Sequence, residues 1–237
     1  MQRSSRTWCA VVVAAGRGTR FGRPKQLVEI AGEPMVTWSV RTFAGIDEIA
    51  AIVVVTEREW LADVVRAVAP CCTRTPVDVV PGGASRQSST YAGLCAVPGQ
   101  CDAVLVHDGA RPLVSANDVR SGMEPVRAGH ASILAVPIVD TIKRVDPQSH
   151  TVAETLERRL LWAAQTPQFA MLADLRTAHE RALEDGIEAT DDSMLLERAG
   201  ATVHVVPGSV ENFKVTMPED GLRADRAMRV RLAGQLR

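Results

Sequence analysis

Six apolar residues, Trp8-Cys9-Ala10-Val11-Val12-Val13, run directly into Ala14-Ala15-Gly16-Arg17-Gly18-Thr19-Arg20-Phe21-Gly22-Arg23-Pro24-Lys25. The run has the length and character of a strand buried in a sheet. The small residues at its end leave backbone N–H groups open to close approach by an anion. Four cations then crowd one short stretch, Arg17, Arg20, Arg23 and Lys25, in a chain whose formal net charge is −1. A buried strand ending in a long basic loop suits a site that holds a triphosphate and neutralises charge as part of it is transferred. The alternative is a strand-to-helix turn with solvated arginines.

Two common phosphate loops are excluded. A Walker A loop needs a second glycine five residues after Gly16, where Phe21 stands, and Phe21 also breaks the G-x-G-x-x-G pattern begun by Gly16 and Gly18. Aromatic residues are 4% of the chain, too few for a platform that stacks single-stranded nucleic acid, and the near-neutral charge argues against a nonspecific nucleic-acid binder. No apolar run approaches the length of a membrane span. The polar start, Met1 to Thr7, leads straight into the loop and does not read as a cleavable signal. Five cysteines without a C-x-x-C pair suggest reduced thiols and a cytoplasmic protein.

The 237 residues suffice for one α/β domain. Strand patterns fall at Trp8–Val13, Ile49–Val55, Val77–Val80, Ala103–His107, Ala131–Val136 and Thr202–Val206. Helical patterns follow Pro34, span Leu61 to Val68, begin near Ser85, Ser115, Met171 and Asp191, and close the chain from Pro218. Thr56 and Glu59 have capping-box spacing, and Thr166-Pro167-Gln168 reads as a turn. Residues 139–164 alternate short β-like pieces with polar turns, as an extended hairpin does. The expected fold is α/β, a Rossmann-like three-layer sandwich with a mostly parallel sheet and a protruding β-arm. Ligands in such sheets gather beyond the strand C-terminal ends, where the basic loop, Gly82-Gly83 and Asp108 all fall.

Further stations have chemistry of their own. Gly82-Gly83-Ala84-Ser85-Arg86-Gln87-Ser88-Ser89 offers bare amides and hydroxyls suited to a base edge, or a helix cap with solvated serines. Asp108 and Arg111 put a carboxylate and a guanidinium at one strand end, for substrate hydroxyls, a magnesium water shell or a bidentate phosphate clamp, or as a surface ion pair of little worth. Thr190-Asp191-Asp192 serves equally as a helix cap or a ligand group. Asn212, Lys214 and Thr216 fall on one side of any extended piece, where a lysine suits a phosphate or blunts a sheet edge.

Taken in order, the basic loop, Asp108-Gly109-Ala110-Arg111-Pro112, Asp140-Thr141-Ile142-Lys143, Thr166-Pro167-Gln168, Thr190-Asp191-Asp192 and Asn212-Phe213-Lys214-Val215-Thr216-Met217-Pro218-Glu219-Asp220 resemble the 2-C-methyl-D-erythritol 4-phosphate cytidylyltransferase family over nearly the whole chain. The first motif resembles the signature of the wider sugar-nucleotide pyrophosphorylase superfamily. The resemblance implies transfer of CMP from CTP to a polyol phosphate, pyrophosphate release, and Mg2+ held mainly by the CTP phosphates. It assigns catalysis to Arg20, Lys25, Arg158 and Lys214, and the nucleotide to Ala14, Ala15, Gly16, Arg17, Gly18, Gly82, Gly83, Ser89, Asp108 and Gly109. The acceptor falls to Asp108, Arg111, Thr141, Arg158, Thr190, Lys214 and Thr216, with no metal ligand among the side chains. A homodimer is implied, the arm carrying Arg158 into the neighbouring site. Ala84 stands where the family is often acidic or polar, and Arg159 beside Arg158 leaves the arm arginine open between the two. Rival expectations are a ribitol-5-phosphate cytidylyltransferase, a molybdopterin cytidylyltransferase and a catalytically silent nucleotide sensor.

Overall fold

A computed structural model describes residues 7–16 and 24–235. In chain order it contains β1 (Trp8–Val13), β2 (Glu29–Ile30), β3 (Glu33–Pro34), α1 (Met35–Ala44), β4 (Ile49–Thr56), α2 (Leu61–Val68), β5 (Val77–Pro81) and α3 (Arg86–Cys95). There follow β6 (Ala103–Asp108), α4 (Ala116–Arg127), β7 (Ala131–Pro137), β8 (Lys143–Val145), β9 (Val152–Thr155) and β10 (Trp162–Met171). The chain closes with α5 (Leu172–Glu184), α6 (Asp192–Arg198), β11 (Val203–Pro207) and α7 (Pro218–Gln235).

Among the described residues the main sheet has seven strands in the order β11-β7-β10-β6-β1-β4-β5. Neighbours are parallel except β10, which runs antiparallel to both β6 and β7. The two-residue period of a strand sends alternate side chains to opposite layers. On β1, Trp8, Ala10 and Val12 pack with Phe43 of α1, Val64 of α2 and Met123 of α4. Cys9 and Val11 pack on the other face with Leu94 of α3 and Leu175 and Ala178 of α5. Helices thus cover both faces, and the expected three-layer sandwich is present.

A smaller core pins the segment after the basic loop. Ile30, Met35 and Trp38 pack with Leu113, Val215 and the α7 residues Ala224 and Met228. The Ala31 N–H donates to Asp225 Oδ1 at 2.7 Å. The β2–β3 hairpin, which the sequence reading omits, is therefore clamped by the C-terminal helix.

Three local expectations are corrected. Thr56 and Glu59 form no capping box: Glu57 precedes a single 3-10 turn, Arg58–Trp60, without a side-chain cap. Thr56 Oγ1 instead accepts from Gln26 Nε2 at 3.3 Å. Thr166-Pro167-Gln168 is not a turn but the middle of β10, where the Thr166–Pro167 peptide is cis and the pairing register with β7 shifts between Ala164 and Gln168. Pro167 lacks an N–H for a regular ladder, so the chain adapts by an irregularity inside the strand. Asn212, Lys214 and Thr216 do not share one side of a strand: Asn212 is fully buried, and its Nδ2 donates to the Thr166 carbonyl at 2.8 Å. The hairpin of the arm is β8 paired with β9. Its return joins the main sheet early, since Trp162, Ala163 and Ala164 already pair with β7.

Candidate active site

The loops after β1, β4, β5 and β6 meet at one edge of the sheet. Backbone bonds extend the sheet into them: the Ala14 N–H donates to the Val55 carbonyl at 2.7 Å, Gly82 to Thr56 at 2.7 Å, and Gly109 to Val13 at 2.9 Å. Val215 joins from the far end of the chain, its N–H on the Ala110 carbonyl at 2.8 Å. Between these loops lies a cleft of about 450 Å³, walled by Ala14 to Gly16, Gly82 to Arg86 and Asp108 to Ala110, with Lys25 and Lys214 at its rim. A cleft of that size suits a nucleotide-sized ligand.

The β5–α3 turn is built for close approach. A Cβ on Gly82 would come within 2.7 Å of both Ala15 Cβ and Ser89 Oγ, so only glycine lets these loops touch. Ser89 Oγ accepts from the Gly83 N–H at 3.1 Å. Ser85 caps α3 in a reciprocal box with Ser88. Gly82, Gly83 and Ser89 therefore line the cleft, and the serine cap, the alternative reading of this stretch, is also present.

Asp108 is the electrostatic hub. Its Oδ1 accepts from Arg86 Nε at 3.1 Å and its Oδ2 pairs with Lys214 Nζ at 2.8 Å, while Arg111 Nε lies 3.9 Å away. Burial alone would raise the Asp108 pKa, but Arg86 and Lys214 outweigh it and hold the carboxyl well below the usual range. Arg86 continues the chain, its Nη2 donating to Asp192 Oδ2 at 2.9 Å. Burial opposes its charge, yet Asp192 and then Asp108 raise its pKa further. Behind Asp108, its N–H donates to Thr166 Oγ1 at 3.0 Å, and that hydroxyl meets His107 Nδ1 at 3.1 Å. Burial pulls His107 down to about 4, so it is a neutral spacer under the site.

The expected residues divide into groups. Arg17, Gly18 and Arg20 lie outside the described residues. Ala14, Ala15, Gly16, Lys25, Gly82, Gly83, Ser89, Asp108, Gly109 and Lys214 line the cleft. Lys25 Nζ donates to the Val215 carbonyl at 3.0 Å, which ties the loop's end to the Lys214 segment. Thr216 is turned to Asp220, whose Oδ2 accepts from its hydroxyl at 2.8 Å. Arg111 does not present a phosphate clamp in the single chain. It lies behind Asp108, largely buried, with Nη1 on the Asn212 carbonyl at 2.7 Å. Thr141 and Thr190 are exposed and outside the cleft wall. Arg158 is also exposed, its Nη1 on the Val139 carbonyl at 2.8 Å. Arg159 pairs with Glu157 instead.

Arg86 is a charged residue of the cleft to which the sequence motifs assign no role, and Asp192 belongs to a segment whose reading stands open between helix cap and ligand group. An arginine at the first turn of a helix entering a strand-end cleft is a usable signal for Arg86. Asp192 follows the true cap, Asp191, whose Oδ1 accepts from the Met194 N–H at 3.0 Å. Nothing local tells which of two adjacent aspartates turns inward.

A family model described as 2-C-methyl-D-erythritol 4-phosphate cytidylyltransferase matches residues 8–230. A Bacillus licheniformis protein of that name is 39% identical over 217 residues, covering 91% of this chain and 93% of that protein. The crystal structure of 4-diphosphocytidyl-2C-methyl-D-erythritol synthase from Anaerococcus prevotii superimposes with a TM-score of 0.85 at 28% identity, covering 95% of this chain and 97% of that one. The Thermus thermophilus 2-C-methyl-D-erythritol 4-phosphate cytidylyltransferase gives 0.74 at 29% identity over 93% and 98%.

Proposed function

This chain belongs to the 2-C-methyl-D-erythritol 4-phosphate cytidylyltransferase family, and from that membership we propose how its residues carry out the family reaction. The enzyme transfers CMP from CTP to 2-C-methyl-D-erythritol 4-phosphate and releases pyrophosphate, a step of isoprenoid precursor synthesis. The observation that carries the reading is the meeting of Lys25, Arg86, Asp108 and Lys214 around one strand-end cleft, inside a chain matched by the family from residue 8 to 230.

An oxygen of the acceptor's phosphate attacks the α-phosphorus of CTP. The new bond joins that oxygen to phosphorus, and the bond from the α-phosphorus to the bridging oxygen breaks, sending its electron pair to pyrophosphate. A phosphate monoester is largely dianionic at neutral pH, so no side chain has to remove a proton. Repulsion between two anions is the barrier. Arg20 and Lys25 offset it by aligning the triphosphate and stabilising the departing charge. The bare amides of Ala14 to Gly16, Gly82 and Gly83 take the nucleotide, with Arg17, Gly18, Ser89 and Gly109 beside them.

Asp108 and Lys214 hold the acceptor, one for hydroxyls and one for phosphate, with Arg111 fixing Asp108 from behind and Thr216 alongside. Among the described residues no three His, Cys, Asp or Glu side chains gather into a metal cage. Asp108 is already committed to Arg86 and Lys214. The divalent cation would enter with the substrate, as the magnesium complex of CTP, where it would screen the triphosphate.

The chain folds as one domain, and the arm within 139–164 serves a homodimer. Val139, Val152 and Leu160 expose apolar surface there, at 77%, 60% and 70% of their full areas. In that dimer Thr141 and Arg158 reach the partner's acceptor, and Thr190 borders the same site. The unpaired cysteines suit a cytoplasmic setting. Pyrophosphate release over a panel of nucleotides and acceptors tests the reading. CTP with methylerythritol phosphate is expected to be the best pair; ribitol 5-phosphate outpacing it, or CTP binding without turnover, overturns it.

A further inference from the structure

His179 has no place in the cleft, yet it ends a chain of contacts that begins there. It projects from α5, is 2% exposed, and its Nε2 donates to Asp192 Oδ1 at 3.1 Å. An ionised carboxylate can only accept, so the proton sits on Nε2. The ring of Tyr91, from α3, stacks over it with centroids 6.1 Å apart and planes at 21°. Asp192 is 1% exposed and shares its two oxygens between His179 and Arg86. Arg86 spends Nη2 on Asp192 and Nε on Asp108. Asp108 then meets Lys214.

We propose that His179 is a positioning residue for the acceptor half of the site, acting through Asp192 and Arg86 on Asp108. The inference rests on the assignment of Asp108 and Lys214 to the acceptor made above. A guanidinium is planar, so a fork bridging two carboxylates transmits any rotation at one end to the other. Asp192 is buried and charged, and its orientation is set by the donors it meets. The backbone holds it too, since Gln168 Oε1 accepts from its N–H at 3.0 Å, but among the described residues only His179 and Arg86 are bonded to its carboxylate. With His179 in place, Arg86 presents Nε to Asp108 Oδ1, leaving Oδ2 for Lys214. Without it, Asp192 turns, Arg86 follows, and Asp108 draws Lys214 closer, taking from the acceptor's phosphate the cation meant for it.

Of the residues assigned to the nucleotide only Asp108 belongs to this chain of contacts, while Ala14 to Gly16, Gly82, Gly83 and Ser89 are not part of it, so the effect falls mainly on the acceptor. His179→Leu is expected to raise the Michaelis constant for methylerythritol phosphate about tenfold, the size of one lost hydrogen bond to a buried charge, with that for CTP constant within twofold. His179→Gln, whose amide also donates from Nε2, is expected to return the acceptor constant to within about threefold of wild type. Should His179→Leu fail to fold, Asp192→Asn takes its place with the same tenfold expectation. An unchanged acceptor constant in the leucine or asparagine variant, equal rises for both substrates, or a glutamine variant no better than the leucine one overturns the proposal. Wild-type protein inactive on methylerythritol phosphate would instead overturn the assignment of function, and is read before any variant is compared.

Discussion

Lys214 Nζ stands 2.8 Å from Asp108 Oδ2, so the cation proposed for the acceptor's phosphate rests on a carboxylate in the free chain. Arg86 on the other oxygen lets Asp108 release Lys214 without being left unpaired. Lys214→Ala is therefore expected to lower kcat/KM for the acceptor by about ten- to a hundredfold, the scale of a lost charge-assisted contact. The Michaelis constant for CTP should barely move. Steady-state kinetics with each substrate varied in turn checks this, and an equal effect on both would remove Lys214 from the acceptor.

Lys25 lines the same cleft and is tied to the Val215 carbonyl, next to Lys214. If it stabilises charge only as pyrophosphate departs, its loss falls on turnover. Lys25→Ala is expected to lower kcat by about two to three orders of magnitude with a small change in substrate binding. Single-turnover measurement on purified, folded protein gives the answer; near-normal turnover contradicts the role.

His107 makes stability depend on pH. Its imidazole, buried beneath the site, titrates at about 4 in the folded chain, against roughly 6.5 when unfolded. Between these values the unfolded state binds more protons, so stability rises with pH across the window. The contribution is complete above about 6.5 and lost as pH falls toward 4. The depressed carboxyls of Asp108 and Asp192 act lower, their stabilisation present above the ordinary carboxylate pKa and lost as pH falls through their folded values. Thermal melting from pH 7 to 4.5 is expected to show a falling Tm, with a flatter profile in His107→Gln. Identical slopes for the two proteins would refute the assignment.

Arg158 tests the arm. If it serves the partner's site, mixing Lys25→Ala with Arg158→Ala protomers creates one fully equipped site in each mixed dimer. Unfolding and refolding the pair together should restore about a quarter of wild-type activity, from statistical pairing of two subunits. If Arg158 works within its own chain, no mixture exceeds the separate variants.

Much of the fold was legible because local chemistry agreed with the global outcome. The apolar runs at Trp8–Val13, Ile49–Thr56 and Ala103–Asp108 are buried strands, and Ser85, Ser115 and Asp191 cap helices where expected. Thr166-Pro167-Gln168 misleads because turn residues inside a strand look like a turn until the partners β6 and β7 are known. Asn212 misleads because alternation says nothing when the segment is not a strand; its place is set by Thr166, distant in sequence.

The cleft divides in the same way. Glycines at strand ends, a basic loop and the order of motifs are properties of neighbouring residues, so the sequence alone determined the α/β architecture, the edge bearing the site and the family. Which charges pair was decided by the tertiary structure. Asp108 meets Arg86, Lys214 and, through Arg86, Asp192 because three loops and a helix terminus converge there. Pairing strength follows distance in space and exclusion of water, and neither can be read along the chain until it is folded.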